Sequence, residues 1–287
     1  KPSAAELIEL TGLDDLNSLA IIGLSKNAGK TTSLNHLIRA WTEAKRERAL
    51  ALTSVGRDGE AEDLVSGICK PRIYLTKGHL LATSVASLKR CDTLIDIREL
   101  SGIRSALGEI VIGRSLSDGY VELAGPAVAS ELKQCEKLLR AEEPDCLFIV
   151  DGALSRRSPA GGGVTEAVVL AVSYGQSASA SVFLERVEHA GKLLNLPVVA
   201  ATDAELIKAE IERDEMLRLL ALDNDGNQVR GFRAESLLGE KGRLAEFYRL
   251  NDRLLFLRGA ITERIMADLL KLSNLEGLKV VVEDASR

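Results

Sequence analysis

The chain has 287 residues, of which 46% are hydrophobic and 28% are charged. This composition is sufficient for a sizeable buried core and differs from that of disordered proteins. The 37 Lys and Arg residues against 42 Asp and Glu residues give a formal net charge of −5, and only 3% of the residues are aromatic. Both figures argue against a protein that grips nucleic-acid phosphates along its surface or stacks bases on an aromatic platform.

Two features of the sequence bear on the cellular location of the protein. Apolar runs such as Cys146–Val150 are far shorter than the roughly 18 residues that a membrane-spanning helix needs, and the first residues contain no apolar signal segment. The four cysteines, at positions 69, 91, 135 and 146, show neither a CxxC spacing nor the density of a disulfide framework. We therefore expect a cytoplasmic protein that does not bind membranes.

Helix and strand patterns alternate from the first residues onward. The predicted elements are a helix at about Ala4–Leu10, a strand at Leu19–Gly23, a helix from Lys30 to about Arg46, a strand at Ala49–Ser54 and a helix at Glu60–Ser66. Short β-like pieces broken by Gly and Ser then follow, at Arg72–Leu75, Thr93–Ile97, Glu109–Ile112 and Tyr120–Leu123. They indicate a β-rich insertion at about 71–126.

The helix–strand alternation resumes after this insertion. The predicted helices are Ala127–Ala141, Ala178–Leu194, Ala204–Leu220, Glu240–Leu250 and Ile261–Leu272. The predicted strands are Cys146–Val150, Ala167–Val172, Pro197–Ala201, Arg253–Leu257 and Lys279–Glu283, with a hairpin at Asp223–Arg233. Short apolar strands separated by helices predict an α/β fold, with a mainly parallel sheet and helices on both faces. Since no long linker interrupts the chain, we expect a single domain over residues 1–287.

A loop of the Walker A type follows the first predicted strand. It runs Gly23-Leu24-Ser25-Lys26-Asn27-Ala28-Gly29-Lys30-Thr31-Thr32, with an apolar strand before it and an amphipathic helix after it. Backbone N–H groups in such a loop, together with the positive end of the helix dipole, bind phosphate. The residues predicted to bind a nucleotide are Ser25, Lys26, Asn27, Ala28, Gly29, Lys30, Thr31 and Thr32.

Three side chains of this loop have predicted chemical roles. Lys30 would neutralise the β- and γ-phosphate oxygens, and the hydroxyl of Thr31 would bind Mg²⁺. Lys26 would stabilise charge that develops at the γ-phosphate, with a solvated lysine as the alternative. The loop has five residues between its glycines where four are common, so an ordinary strand–helix turn is the alternative for the whole motif.

Acidic residues after three other strands complete the candidate site. Asp151 ends the strand Leu147–Val150 and is the predicted second ligand of Mg²⁺. Asp58 would position the attacking water or contact Mg²⁺, and Arg57 would contact a phosphate, with a Gly-rich turn that carries a helix-capping Asp or Glu as the alternative. Asp203 follows the predicted strand Pro197–Ala201, where it would contact the base or cap the next helix. Since the base-reading pattern Asn-Lys-x-Asp of G proteins is absent, ATP is favoured over GTP.

The loop and the run Asp151-Gly152-Ala153 together resemble the P-loop NTPase branch that includes dethiobiotin synthetase and the cobyrinate amidotransferases. The resemblance implies a P-loop NTPase fold with ATP and Mg²⁺ as cofactors. It departs at Ser54-Val55-Gly56-Arg57, where dethiobiotin synthetase carries Lys-Pro for its substrate, which disfavours carboxylation or amidation chemistry. An ATP-dependent small-molecule ligase or kinase is nevertheless the alternative function.

A closer resemblance is to the ATPase subunits of lysine 5,6-aminomutase reactivases. It rests on the loop, on Gly56-Arg57-Asp58-Gly59-Glu60, on Lys70-Pro71-Arg72-Ile73-Tyr74 and on Leu116–Pro126. The resemblance implies an ATPase that restores an adenosylcobalamin-dependent enzyme, acting on that enzyme or with a second, cobalamin-binding reactivase subunit. A third alternative is a nucleotide-sensing regulator with little turnover. The oligomeric state is left open between a monomer and a homodimer.

Overall fold

The computed structural model describes residues 3–25, 27–56, 72–152, 165–224, 229–237, 240–259, 262–271 and 277–283. The chain folds into two compact units, Lys1–Gly191 and Lys192–Arg287. The sequence predicts one domain over 1–287 because no linker is visible. The boundary between the two units falls inside a continuous helix (Ala180–Leu194), and the single domain stays a prediction.

The first unit is an α/β structure. Its strands are β1 (Ser18–Gly23), β2 (Leu50–Ser54), β3 (Ile73–Leu75), β4 (Leu80–Ser84), β5 (Ile95–Ser105), β6 (Gly108–Ser115), β7 (Gly119–Val121), β8 (Leu147–Asp151) and β9 (Ala167–Ala171). Its helices are α1 (Ala4–Thr11), α2 (Lys30–Glu43), α3 (Val85–Leu88), α4 (Ala129–Glu142) and α5 (Ala180–Leu194), the last of which continues into the second unit.

One large sheet organises this unit. Over the described residues it has seven strands in the order β5-β6-β4-β2-β8-β1-β9. The pairs from β4 to β9 are parallel, whereas β6 is antiparallel to both β4 and β5. The expectation of a mainly parallel sheet is therefore confirmed. Strands β3 and β7 form a separate two-stranded antiparallel ribbon.

Alternate side chains of the central strands point to opposite faces of the sheet and build two cores. Ala20, Phe148 and Val150 pack with Leu132 and Leu139 of α4 on one face. The other face holds a second set from the same strands together with residues of α1, α2 and the ribbon: Ile8, Leu19, Ile21, Leu34, Trp41, Ile73, Leu147 and Ile149. Helices thus cover both faces, as expected, and the central strands β1 and β8 are mainly apolar because neither face meets water.

The region 72–126 has the predicted β-rich character: β4, β5 and β6 belong to the main sheet, and β3 and β7 form the separate ribbon. β4 belongs to the parallel part, and β5 and β6 extend the sheet beyond it. The sequence pattern did not predict β4, whose Thr83 and Ser84 are fully buried. The Thr83 hydroxyl donates to the Glu122 carbonyl, and the Ser84 hydroxyl accepts from the Ser87 amide. These hydrogen bonds allow polar residues to occupy a buried strand where apolar residues are expected.

The second unit contains a four-stranded sheet of its own. Its strands are β10 (Leu217–Asp223), β11 (Val229–Arg233), β12 (Asp252–Leu257) and β13 (Lys279–Val282), in the order β11-β10-β12-β13. Its helices are α6 (Ala201–Arg213), α7 (Lys241–Phe247) and α8 (Glu263–Leu269). Two predictions fail here: 197–200 has no regular structure, and the predicted helix Ala204–Leu220 ends at Arg213. The remainder of that segment belongs to β10, because an apolar run this short fits a buried strand as well as a helix.

Candidate functional site

The loop between β1 and α2 lies at the carboxyl edge of the parallel sheet. β1 ends at Gly23, and the next amide, that of Leu24, still donates to the Ala171 carbonyl of β9 over 2.9 Å. The backbone then takes left-handed conformations at Asn27 (φ 58°) and Gly29 (φ 93°). These two residues turn the chain directly into α2, which begins at Lys30.

The first turn of α2 can bind an anion. The helix begins after Gly29 without a hydrogen bond from any capping side chain. In an α-helix the first amide N–H groups have no partner within the helix, and the helix dipole adds positive potential at this end. Backbone amides at such a helix start are chemically suited to an anion such as a phosphate or a carboxylate.

The side chain of Lys30 lies back across the loop towards the end of β1. A Cβ atom placed on Gly23 would be 2.9 Å from Lys30 Cγ, 3.1 Å from Lys30 Cδ and 3.2 Å from the Ser25 carbonyl oxygen. Real Cβ atoms do not approach other atoms as closely as 2.9 Å, so a side chain at position 23 would force the Lys30 side chain to shift. Gly23 thus leaves room for a half-buried lysine stem directly over the strand that precedes the loop.

Asp151 lies on the strand adjacent to this loop. It ends β8, which pairs with β1 on one side and β2 on the other, and its register partners are Ile21 and Ser54. Two backbone hydrogen bonds of 2.9 Å hold this strand end: Gly152 donates to the Ile21 carbonyl, and Val55 donates to the Asp151 carbonyl. One carboxylate oxygen, Oδ1, is buried. The fold therefore brings Asp151 and the loop to the same edge of neighbouring strands.

The donor set at this edge suits a hard divalent cation. Thr31 offers a hydroxyl in the first turn of α2, and Asp151 offers a carboxylate, both of which are oxygen donors that Mg²⁺ prefers. Within the described ranges no group of three or more His, Cys, Asp or Glu side chains is arranged to hold a metal. A cation bound here would therefore need phosphate oxygens and water to complete its shell, as is usual for Mg²⁺ in nucleotide sites.

A further component of this edge was not predicted from the sequence. It is the stretch 122–126 between β7 and α4, which we call the crossing segment, and it passes over the ends of β4 and β2. The Thr83 hydroxyl donates to the Glu122 carbonyl and accepts from the Ala124 amide, each over 2.9 Å. Gly125 donates from its amide to Ser54 Oγ over 3.0 Å. The turn-forming dipeptide Gly125-Pro126 was the available sequence signal.

Asp203 lies in the second unit, in the first turn of α6. Its two carboxylate oxygens accept from the Arg253 guanidinium over 2.7 and 2.8 Å. This ion pair lowers the pKa of Asp203 below its usual value, mainly through the hydrogen bond from Arg253. Its proposed N-cap role is wrong, because Ala200 occupies that position. Its contact with a nucleotide base stays a prediction.

Several predicted residues lie outside the described ranges: Lys26, Arg57, Asp58 and the helix predicted at Glu60–Ser66. The remaining loop residues are described, and Ala28 is buried whereas Asn27 and Thr32 are exposed. No helix in the described part of the chain combines the length and the apolar composition that a bilayer span requires.

Two cavities of the described residues lie away from the loop. One, of about 380 Å³, is lined in the second unit mainly by apolar residues that include Ile207, Ile211 and Phe256. The other, of about 300 Å³, is lined by Trp41, Lys77, His79 and Asp118, among others.

Burial lowers the pKa of His79 to about 4. His79 Nδ1 accepts from the Leu50 amide over 3.2 Å, so the neutral ring carries its proton on Nε2.

Comparison with known proteins yields no relative. No protein-family model, no curated protein and no solved structure matches the chain.

Proposed function

We propose that the first unit binds ATP with Mg²⁺ at the loop 23–32 and hydrolyses it. The observation that carries the proposal is the packing of the Lys30 stem against Gly23, beside a strand that ends in Asp151. A turn that served only to connect β1 to α2 would not need this contact, in which Gly23 leaves space for the Lys30 side chain. The parallel sheet supports the proposal, since ligands of such sheets bind at the carboxyl ends of the strands.

Each group would act on a different part of the triphosphate. The amides of residues 28–32 would surround the β-phosphate, and the ammonium of Lys30 would reach the β- and γ-oxygens. The hydroxyl of Thr31 and the carboxylate of Asp151 would hold the cation, which withdraws charge from the phosphates when it is bound. With no covalent step required of the protein, positioning and charge stabilisation would provide the catalysis.

We further propose that hydrolysis is coupled to a protein partner, in the manner of a reactivase for an adenosylcobalamin-dependent enzyme. The support for this part is the sequence resemblance given above. P-loop switches that lack a stimulating partner hydrolyse nucleotide at about 10⁻⁴–10⁻² s⁻¹. Stimulation by a co-purified protein therefore tests the coupling more sharply than the basal rate does.

Calorimetric titration with ATP and GTP, each with Mg²⁺, tests nucleotide binding. We expect Lys30→Ala to weaken ATP binding about ten- to hundredfold, the cost of one charge-assisted hydrogen bond to phosphate. Lys133→Ala is the matched control, because Lys133 is an exposed lysine of α4 in the same unit. Absence of binding by the wild type, or equal affinities in both variants, would refute the proposal.

A further inference from the structure

The crossing segment touches the backbone of β2 directly. A Cβ atom on Gly125 would lie 2.1 Å from the Ser54 carbonyl oxygen and 2.5 Å from Thr53 Oγ1. Both neighbours belong to a buried strand in the middle of the sheet and cannot move aside as an exposed side chain can. Glycine at 125 is thus required by the contact between the segment and the strand.

A chain of hydrogen bonds links this contact to Asp151. Ser54 Oγ accepts from the Gly125 amide and donates to the Gly56 carbonyl, each over 3.0 Å. The Gly56 amide donates to the Pro126 carbonyl over 2.8 Å, and the Val55 amide donates to the Asp151 carbonyl over 2.9 Å. The segment therefore fixes residues 54–56, and these residues hold the backbone that carries the Asp151 carboxylate.

The other end of the segment is fixed at β4. Thr83 is fully buried, and its one hydroxyl serves both the Glu122 carbonyl and the Ala124 amide. The Ser84 amide adds a 2.9 Å bond to the Ala124 carbonyl. Removing the Thr83 hydroxyl would leave buried backbone groups of the segment without this partner, which favours a shift of the segment.

We propose that Thr83 and Gly125 are positioning residues for the end of β8 at which Asp151 would hold the metal of the nucleotide. The inference rests on the proposed function and extends it to Thr83, two strands away from Asp151, and to Gly125, which contacts the adjacent strand β2. The crossing segment acts through β2: it sets the backbone at residues 54–56, and the pairing of β2 with β8 transmits that position to Asp151. Groups that hydrogen-bond directly to a metal ligand commonly change metal affinity about 10- to 100-fold when they are removed, and we expect these more remote positioning residues to act at the lower end of that range.

Ser101 provides a matched control for Thr83. It is also a buried hydroxyl of the same sheet that bonds a carbonyl and an amide: it donates to the Ile110 carbonyl over 2.7 Å and accepts from the Ile103 amide over 3.1 Å. These bonds lie within the β5–β6 hairpin, on the far side of β4 from Asp151. Thr83→Val and Ser101→Ala thus remove equivalent bonds at different distances from the candidate metal site.

The test measures Mn²⁺ binding to the full chain with ADP by electron paramagnetic resonance, and ADP affinity without metal by calorimetry. Hydrogen exchange of the Val55 and Gly56 amides in the ligand-free protein provides a readout that does not depend on activity. We expect Thr83→Val to weaken Mn²⁺ binding about tenfold, with ADP affinity changed by less than about twofold. Exchange at Val55 and Gly56 should also accelerate, and Thr83→Ser should restore both properties.

Gly125→Ala should also weaken Mn²⁺ binding. If Gly125→Ala does not fold, Thr83→Val alone tests the inference. Equal Mn²⁺ affinities in wild type and Thr83→Val, or an equal loss in Ser101→Ala, would overturn the inference while leaving nucleotide binding intact. A wild-type chain that binds no nucleotide would refute the proposed function and this inference together.

Discussion

Lys30 and Gly23 occupy one small space at the carboxyl edge of the sheet. The lysine stem takes the volume that a side chain on residue 23 would fill, with Cγ 2.9 Å from the position of such a Cβ. The two residues are separated by the whole loop, so the loop and the lysine conformation depend on each other. Any side chain at 23 must therefore act first on Lys30.

Gly23→Ala should separate nucleotide binding from folding. The added methyl group displaces the Lys30 side chain and crowds the Ser25 carbonyl, so we expect ATP affinity to fall about tenfold or more. Since the displaced atoms belong mainly to a flexible side chain, the free energy of unfolding should change by about 1 kcal/mol or less. Calorimetric titration and urea unfolding of the same preparations measure the two effects.

The control for this variant is Gly191→Ala in α5. A Cβ atom at Gly191 has no heavy atom within 4 Å, and alanine favours a helix over glycine by about 0.5–1 kcal/mol. We expect unchanged ATP affinity. If Gly23→Ala bound ATP as well as Gly191→Ala does, the contact between Lys30 and Gly23 would have no bearing on nucleotide binding.

Asp151→Asn should affect the metal-dependent part of the proposed activity. The amide keeps the size of the side chain but removes the negative charge that would hold the cation. We expect Mg²⁺-dependent ATP hydrolysis to fall about 100-fold, with ADP affinity in the absence of metal nearly unchanged. Steady-state phosphate release measures the hydrolysis rate, and calorimetric titration without metal measures the ADP affinity.

Asp145→Asn is the corresponding control, because Asp145 is 87% exposed and lies in the turn just before β8. It should retain wild-type hydrolysis. Full Mg²⁺-dependent turnover by Asp151→Asn would contradict the assignment of Asp151 as a metal ligand.

Sequence patterns predicted the loop and Asp151 because both are contiguous motifs next to apolar strands. The crossing segment could not be predicted in the same way, since its partners Ser54 and Thr83 are distant in sequence from residues 122–126. A serine or threonine hydroxyl that bridges two backbone groups looks in sequence like any other polar residue. Only the register of β4, β2 and β8 shows that these hydroxyls lie along one path to Asp151.

His79 makes the stability of the first unit depend on pH. Burial lowers its pKa from 6.5 to about 4, so the folded state excludes a proton that the unfolded state binds. Above pH 6.5 the ring is neutral in both states and has no effect on the free energy of unfolding. As the pH falls from 6.5 towards 4, protonation of the unfolded state lowers the free energy of unfolding by up to about 3 kcal/mol. We expect His79→Gln to remove this dependence. Urea unfolding followed by the fluorescence of Trp41, the single tryptophan of the chain, measures it between pH 7 and 4.

The control is His36→Gln, because His36 is exposed on α2. It should keep the wild-type pH dependence. Parallel stability curves for wild type and His79→Gln across this pH range would show that His79 is protonated equally in both states.

The ion pair between Asp203 and Arg253 should stabilise the second unit. The pKa of Asp203 is lowered from 3.8, so the stabilisation is present above that value and is lost as the pH falls through the folded-state pKa. We expect Asp203→Asn to destabilise α6 and β12 by about 2 kcal/mol at pH 7, with a smaller difference below pH 4. Hydrogen exchange of peptides from 201–213 and 252–257 reports on this unit alone.

Glu210→Gln is the matched control, since the Glu210–Arg213 pair on the same helix is more exposed, at 29% and 74%. Its effect should stay below about 0.5 kcal/mol. Equal exchange rates in Asp203→Asn and Glu210→Gln would show that the ion pair between Asp203 and Arg253 contributes little to the stability of the second unit.

The elements that sequence predicted best are those with long amphipathic or uniformly apolar patterns, such as α2, α4 and β8. The failures are short apolar segments whose environment decides their conformation. Val198 is 93% exposed and lies in a stretch without regular structure, whereas Leu217–Leu220 lies between β11 and β12 and becomes a strand. Neither outcome can be predicted from a window of five residues, because each depends on strands elsewhere in the chain.

The order of the strands also determines when the loop between β1 and α2 can reach its folded position during synthesis. The sheet neighbours of β1 are β8 and β9, so a nascent chain that has reached residue 146 contains the whole loop and neither of them. Until residue 171 leaves the ribosome, the apolar stretch Ser18–Gly23 lacks at least one of its two neighbouring strands, and exposed apolar segments of this kind are generally prone to aggregation. If the loop binds nucleotide as proposed, the ligand would act only on later stages of folding, because the strands beside the loop are translated late.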